Sequence, residues 1–128
     1  MTARALGTAG LVLMLITAAS ASAAPAGQAG QTLDRKVQAF LDKHAGEWRD
    51  MNVSETDGKI LYDLVIKNKY TRALEIGTST GHSGIWIAWA LSKTGGKLIT
   101  VDIDEGRYRE ALANFREAGL DSFIDARL

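Results

Sequence analysis

Apolar positions change period several times along the chain, and each change marks an element. Leu33, Val37, Phe40, Leu41 and Ala45 recur at intervals of three and four, so Leu33 to Trp48 is predicted as an amphipathic helix. Met51-Asn52-Val53 reads as an extended turn, and Ser54-Glu55-Thr56-Asp57 supplies cap candidates for a second helix through Asn68, with Ile60, Leu61, Leu64 and Val65 on its apolar face. The pattern then tightens to the short run Ala73-Leu74-Glu75-Ile76, a strand with one carboxylate near its end. Gly77 and Gly81 bracket Thr78-Ser79-Thr80, after which helical spacing returns at Ile85, Trp86, Trp89 and Ala90. Ser92 to Gly96 stops that helix, and Lys97 to Asp102 is a second strand that ends in an acid. Glu105 to Ala118 is helical with Tyr108, Ala111, Leu112 and Phe115 inward, Gly119 closes it, and Ser122 to Leu128 begins a third strand. Alternating strands and helices predict an α/β fold of the doubly wound kind. Such a sheet carries its first strand in the centre, so with three strands present the Leu74–Ile76 strand is expected at an edge.

The amino end has a different pattern. Arg4 is its lone charge, Leu6 to Ala19 is apolar, and Ala21-Ser22-Ala23 is an A-x-A site, together a secretory signal peptide over residues 1–23. The apolar run is shorter than the roughly 20 residues a bilayer span needs. The expectation is an exported chain, periplasmic or secreted, with its mature start at Ala24 and no stable membrane insertion; left uncleaved, the segment would be a membrane anchor. Ala24 to Thr32 is small, polar and glycine-rich and reads as a flexible linker, which leaves 33–128 as the folded domain.

Composition narrows the chemistry. Fifteen basic and fifteen acidic residues give zero net charge, so no nucleic-acid partner is implied. There is no cysteine, which excludes disulfides, thiolate metal sites and a cysteine nucleophile. His44 has no second histidine spaced to form a ligand pair, and the charged run Glu105 to Glu117 reads as a solvated helix face.

The strand, glycine turn and helix at 73–90 have the form of the ligand-binding corner of a doubly wound sheet. Glycine lets backbone N–H groups approach a ligand, and the helix start favours accepting groups. Asp102 lies about 20 residues past the turn, the separation at which an acid on the second strand reaches ribose hydroxyls. Three readings compete. A nicotinamide site needs a second glycine where Ser79 stands. A serine hydrolase fits Gly77-Thr78-Ser79-Thr80-Gly81 as G-x-S-x-G, yet it needs a late histidine, and His82 is the only one after Ser79. The third is an S-adenosylmethionine site.

That third reading rests on a family resemblance. Met51-Asn52-Val53-Ser54, Leu74-Glu75-Ile76-Gly77-Thr78-Ser79-Thr80-Gly81-His82-Ser83 and Ile99-Thr100-Val101-Asp102-Ile103-Asp104 together resemble class I S-adenosylmethionine-dependent O-methyltransferases of the catechol and caffeoyl-coenzyme A kind, in their amino-terminal half. The resemblance runs from about Leu33 to Leu128. It implies a Rossmann-like methyltransferase fold, here incomplete, that transfers a methyl group to a small-molecule hydroxyl such as that of a catechol. It also implies cofactor roles. Gly77, Thr78, Ser79 and Gly81 shape the turn beneath the methionine part, and Ser83 binds its carboxylate. Glu75 orients the amino end, Asp102 holds the ribose, and Val53 covers the cofactor. A divalent metal such as magnesium, where the family uses one, would be bound by residues outside this chain, and no catalytic base can be named. The alternative from a different class is a non-catalytic nucleotide-binding or interaction module. A homo-oligomer is expected if the exposed strand edge pairs with another copy.

Overall fold

The computed structural model describes residues 26–49 and 51–128. The signal-peptide assignment to residues 1–23 lies outside the described residues. Four helices and three strands follow in the order α1 (Ala26–Lys43), α2 (Glu55–Asn68), β1 (Arg72–Ile76), α3 (His82–Thr94), β2 (Lys97–Val101), α4 (Glu105–Ala118), a 3-10 turn at Asp121–Phe123, and β3 (Ile124–Arg127).

Local sequence sets the ends of these elements. The Ser54 hydroxyl accepts from the Asp57 N–H at 3.1 Å to cap α2, and the Asp104 carboxylate accepts from the Arg107 N–H at 2.9 Å to cap α4. Gly95 and Gly119 close α3 and α4 in left-handed conformation. The strands form one parallel sheet in the order β1-β2-β3, so β1 is an edge, as expected for a sheet with these three strands. Register places Leu74 beside Ile99, Glu75 beside Thr100, and Thr100 beside Ala126.

The two faces of the sheet differ. One carries the buried Leu98, Thr100 and Ile124 and packs against α3 and α4. Val37 and Phe40 of α1, Val65 of α2, Ile85 and Leu91 of α3, and Phe115 of α4 complete that core. On the other face Leu74 is 68 % and Ile76 82 % exposed.

Two sequence expectations change. The segment 26–32, expected as flexible linker, is the start of α1, where the Thr32 hydroxyl donates to the Gln28 carbonyl; the helix ends at Lys43, so Trp48 lies beyond it. One glycine or two in a helix cost about 1 kcal/mol each, which the buried Val37, Phe40 and Leu41 further along the helix offset. The buried side of α2 is also rotated. Ile60 and Leu64 are about half exposed, Val65 is buried as expected, and Tyr62 and Ile66 pack against the core in place of the other two. Gly58 explains the rotation: a Cβ there would stand 2.2 Å from Trp86, so α2 seats its glycine directly on the α3 indole.

Candidate functional site

The carboxyl ends of β1 and β2 lie side by side, and the Gly77–Gly81 turn rises between them. Gly77 and Thr78 donate their N–H groups to the Val101 carbonyl at 2.8 and 3.2 Å, which ties the start of the turn to β2. Gly77 and Gly81 both have φ near +95 to +99°, a region that favours glycine. At Gly81 a Cβ would also come within 2.6 Å of the Phe115 ring. Ser79, a non-glycine residue, is held at φ +49°. Its N–H donates to Asp102 Oδ2 at 2.7 Å and its hydroxyl accepts from Arg107 at 3.2 Å, and these contacts fix the strained residue.

Asp102 therefore shapes the turn as well as facing outward. Its second oxygen accepts from the Asp104 N–H at 2.9 Å. The bond from Asp104 leads the influences that hold the carboxyl below its usual 3.8, with those from Ser79 and Ile103 and the Arg107 charge acting the same way. A carboxylate has about four lone-pair sites. The Ser79 and Asp104 N–H groups take one on each oxygen and the Ile103 N–H acts on the carboxylate as well, so the half-buried group keeps part of its accepting capacity for ligand hydroxyls.

Glu75 points from β1 into the base of the site. Its Oε1 accepts from the Ser83 hydroxyl on the first turn of α3, and its Oε2 accepts from Thr100 at 2.7 Å. Burial pushes its carboxyl above the usual 4.5, the two hydroxyl bonds oppose that, and Asp102 adds to it. Ser83 thus spends its proton on Glu75, and toward a ligand it can act as acceptor. The first N–H groups of α3 have no acceptor within the helix and point toward this corner.

The segment before α2 closes over the turn. Asn52 donates to the Thr80 hydroxyl at 2.8 Å, and His82 bonds the Val53 carbonyl at 2.9 Å while its ring stacks on Trp48 at 4.3 Å. Val53 is thereby brought beside the turn. The eight site residues read from the sequence, Val53, Glu75, Gly77, Thr78, Ser79, Gly81, Ser83 and Asp102, gather at this one end of the sheet. Thr78, however, is fully buried and bonds Thr100 Oγ1 at 2.7 Å, so it lies beneath the turn and does not present its hydroxyl to solvent.

Four further residues were not singled out in the sequence. Thr100 interrupts an apolar strand, which is its only signal. Asn52 and Arg107 reach the turn from other elements. Ile103 is fully exposed between two acids, directly after Asp102, and offers an apolar platform beside it. Ser79 has no imidazole base, because His82 is engaged with the Val53 carbonyl and the Trp86 indole N–H. Among the described residues no group of three or more His, Cys, Asp or Glu stands together to hold a metal ion.

Comparison with known proteins gives the same picture. The family described as O-methyltransferase matches residues 26–128. A catechol O-methyltransferase of Niastella koreensis is 39 % identical over 77 residues, covering 60 % of this chain and 34 % of that protein. A caffeoyl-CoA O-methyltransferase of Medicago sativa is 32 % identical over 93 residues, covering 73 % of this chain and 36 % of that one. An O-methyltransferase from Bacillus cereus, solved in complex with SAH, superposes with a TM-score of 0.59 at 33 % identity, over 76 % of this chain and 42 % of that chain. The chain spans about a third of the length of the curated relatives it matches.

Proposed function

We infer, for a chain that belongs to the O-methyltransferase family, that the turn between β1 and α3 binds S-adenosylmethionine and that the chain is the cofactor-binding part of an O-methyltransferase. The acceptor class is a small molecule with a catechol-type hydroxyl, as the names of the relatives indicate for those proteins. The observation that carries the reading is Asp102: a half-buried carboxylate at the end of β2, held in place beside the glycine turn by backbone N–H groups.

The parts of such a cofactor would be divided among the residues as follows. Asp102 accepts from the two ribose hydroxyls, and exposed Ile103 lies under the adenine. The first-turn N–H groups of α3 and the Ser83 oxygen face the methionine end. Glu75 supplies a negative charge for the ammonium and sulfonium, and Val53 covers the site from the side. Bound there, the cofactor supplies an electrophilic methyl group on a sulfonium; the chain supplies rigid orientation, which is the larger part of what such an in-line transfer requires.

Asp102→Ala tests the reading, with S-adenosylhomocysteine as the ligand. Loss of hydrogen bonds to a charged group costs about 1.5–3 kcal/mol, so affinity should fall at least about tenfold. Ser79→Ala should change affinity by no more than a few-fold, because the Ser79 hydroxyl faces Arg107. Unchanged affinity in Asp102→Ala would remove that residue from the site.

A further inference from the structure

We propose that Thr100 and Thr78 are positioning residues for this site: their hydroxyls form a one-way chain that keeps the Glu75 carboxylate charged and aimed at the turn. The proposal rests on the cofactor reading for the role of Glu75, and on geometry for the chain itself.

Glu75 and Thr100 are register partners on β1 and β2, with their side chains on the same covered face of the sheet. Thr100 Oγ1 lies 2.7 Å from Glu75 Oε2, and Thr78 Oγ1 lies 2.7 Å from Thr100 Oγ1. An ionised carboxylate can only accept. Thr100 therefore gives its single proton to Glu75, and the oxygen of Thr100 receives the proton of Thr78. The order Thr78 to Thr100 to Glu75 is the one arrangement that satisfies all three groups while Glu75 is charged. Both threonines are fully buried, so water does not compete for these bonds.

The surroundings fit an anion that is held but not neutralised. Ser83 donates to the other oxygen from α3. Gly84 leaves the room the carboxylate needs, since a Cβ there would stand 3.3 Å from Glu75 Oε2 and 3.2 Å from Phe115 of α4. Asp102, from the end of β2, is the charged group that acts on Glu75, and it is itself an anion. The stabilising contacts are thus neutral hydroxyls. A cationic ligand group arriving at the turn would meet an anion already oriented by the Ser83 and Thr100 hydroxyls. Thr78 also carries the turn, so the chain links the shape of the turn to the charge state of Glu75.

The test is a titration of the Glu75 side-chain carboxyl, followed by carbon-13 NMR on the whole chain without ligand. Thr100→Val keeps a β-branched side chain of similar volume and removes the proton. The Glu75 midpoint should move upward by about one to two pH units, the size of one hydrogen bond to a charged group. Thr78→Val should move it upward by a fraction of that, because the chain is shortened by one polarising link. Thr100→Ser should restore the original midpoint. Titration of S-adenosylhomocysteine across pH should show the acid limb of affinity moving by the same amount in Thr100→Val. A Glu75 midpoint unmoved in folded Thr100→Val would overturn the proposal. If Thr100→Val does not fold, an unmoved midpoint in Thr78→Val would overturn it. A shifted midpoint in a protein that fails to bind S-adenosylhomocysteine would support the hydroxyl chain and count against the cofactor reading.

Discussion

His82 shows how closely a single residue's chemistry is fixed by its neighbours. The Val53 carbonyl can only accept, so Nδ1 carries the ring proton, and Nε2 accepts from the Trp86 indole N–H at 3.0 Å. That is a neutral imidazole with both nitrogens in use. Burial pushes its pKa below the usual 6.5, opposed by the Val53 bond and by the nearby Glu55 charge. The unfolded chain therefore takes up a proton near pH 6.5 that the folded chain resists, and stability contributed by His82 is present above that pH and lost as pH falls toward the folded value. Glu75 has the opposite sign. Its pKa is raised on folding, so its contribution is fully present below 4.5 and lost as pH rises through the folded value. The two are separated by comparing thermal melts of the wild type and His82→Phe. The melting temperature of the wild type should drop between about pH 7 and pH 5 relative to the variant, whose curve lacks the histidine contribution. Parallel curves would show that His82 has the same pKa in the folded and unfolded chain, against the lowering that its burial causes. Ser54, Gly119 and Asp102 were legible in the sequence because their roles depend on neighbours a few residues away or on a strand end. Thr100 and Ser83 were not legible as partners of Glu75, because their meeting depends on strand register and on the seating of α3.

At the scale of elements, the strands and the three central helices follow the apolar periods, and the departures have local causes. Glycine-rich 26–32 has the composition of a linker, and it is helical because it continues α1, whose later turns pack on the core. Hydrophobic spacing in α2 places Val65 inward but not Tyr62 and Ile66, because spacing alone cannot show that Gly58 must sit against Trp86. β1 was read both as an apolar strand and as an edge, and it is both: Leu74 and Ile76 are exposed on a strand with one neighbour. The groups of β1 that do not face β2 are open to pairing with another chain. We therefore expect the 128-residue chain to self-associate with increasing concentration in size-exclusion chromatography. Leu74→Lys, which places a charge on that edge, should shift it toward monomer. A wild type that stays monomeric at every concentration would contradict this use of the edge.

For the whole molecule, the described residues form three parallel strands with their helices, and the proposed cofactor corner lies wholly within them. The residues that the sequence pattern groups there lie together in the fold, since a glycine turn after one strand and an acid at the end of the next are both local signals with a fixed separation. The pattern left out the buried hydroxyls beneath the turn and the Asn52 and Arg107 contacts around it, which depend on the folded arrangement. With β1 at the sheet edge and Ile76 82 % exposed beside the turn, cofactor affinity is expected to be weak. The most direct measurement is calorimetric titration of the chain with S-adenosylhomocysteine and, separately, with NAD. A saturable signal for S-adenosylhomocysteine, with NAD binding far more weakly, is the expected result; tight NAD binding with no S-adenosylhomocysteine signal would contradict it.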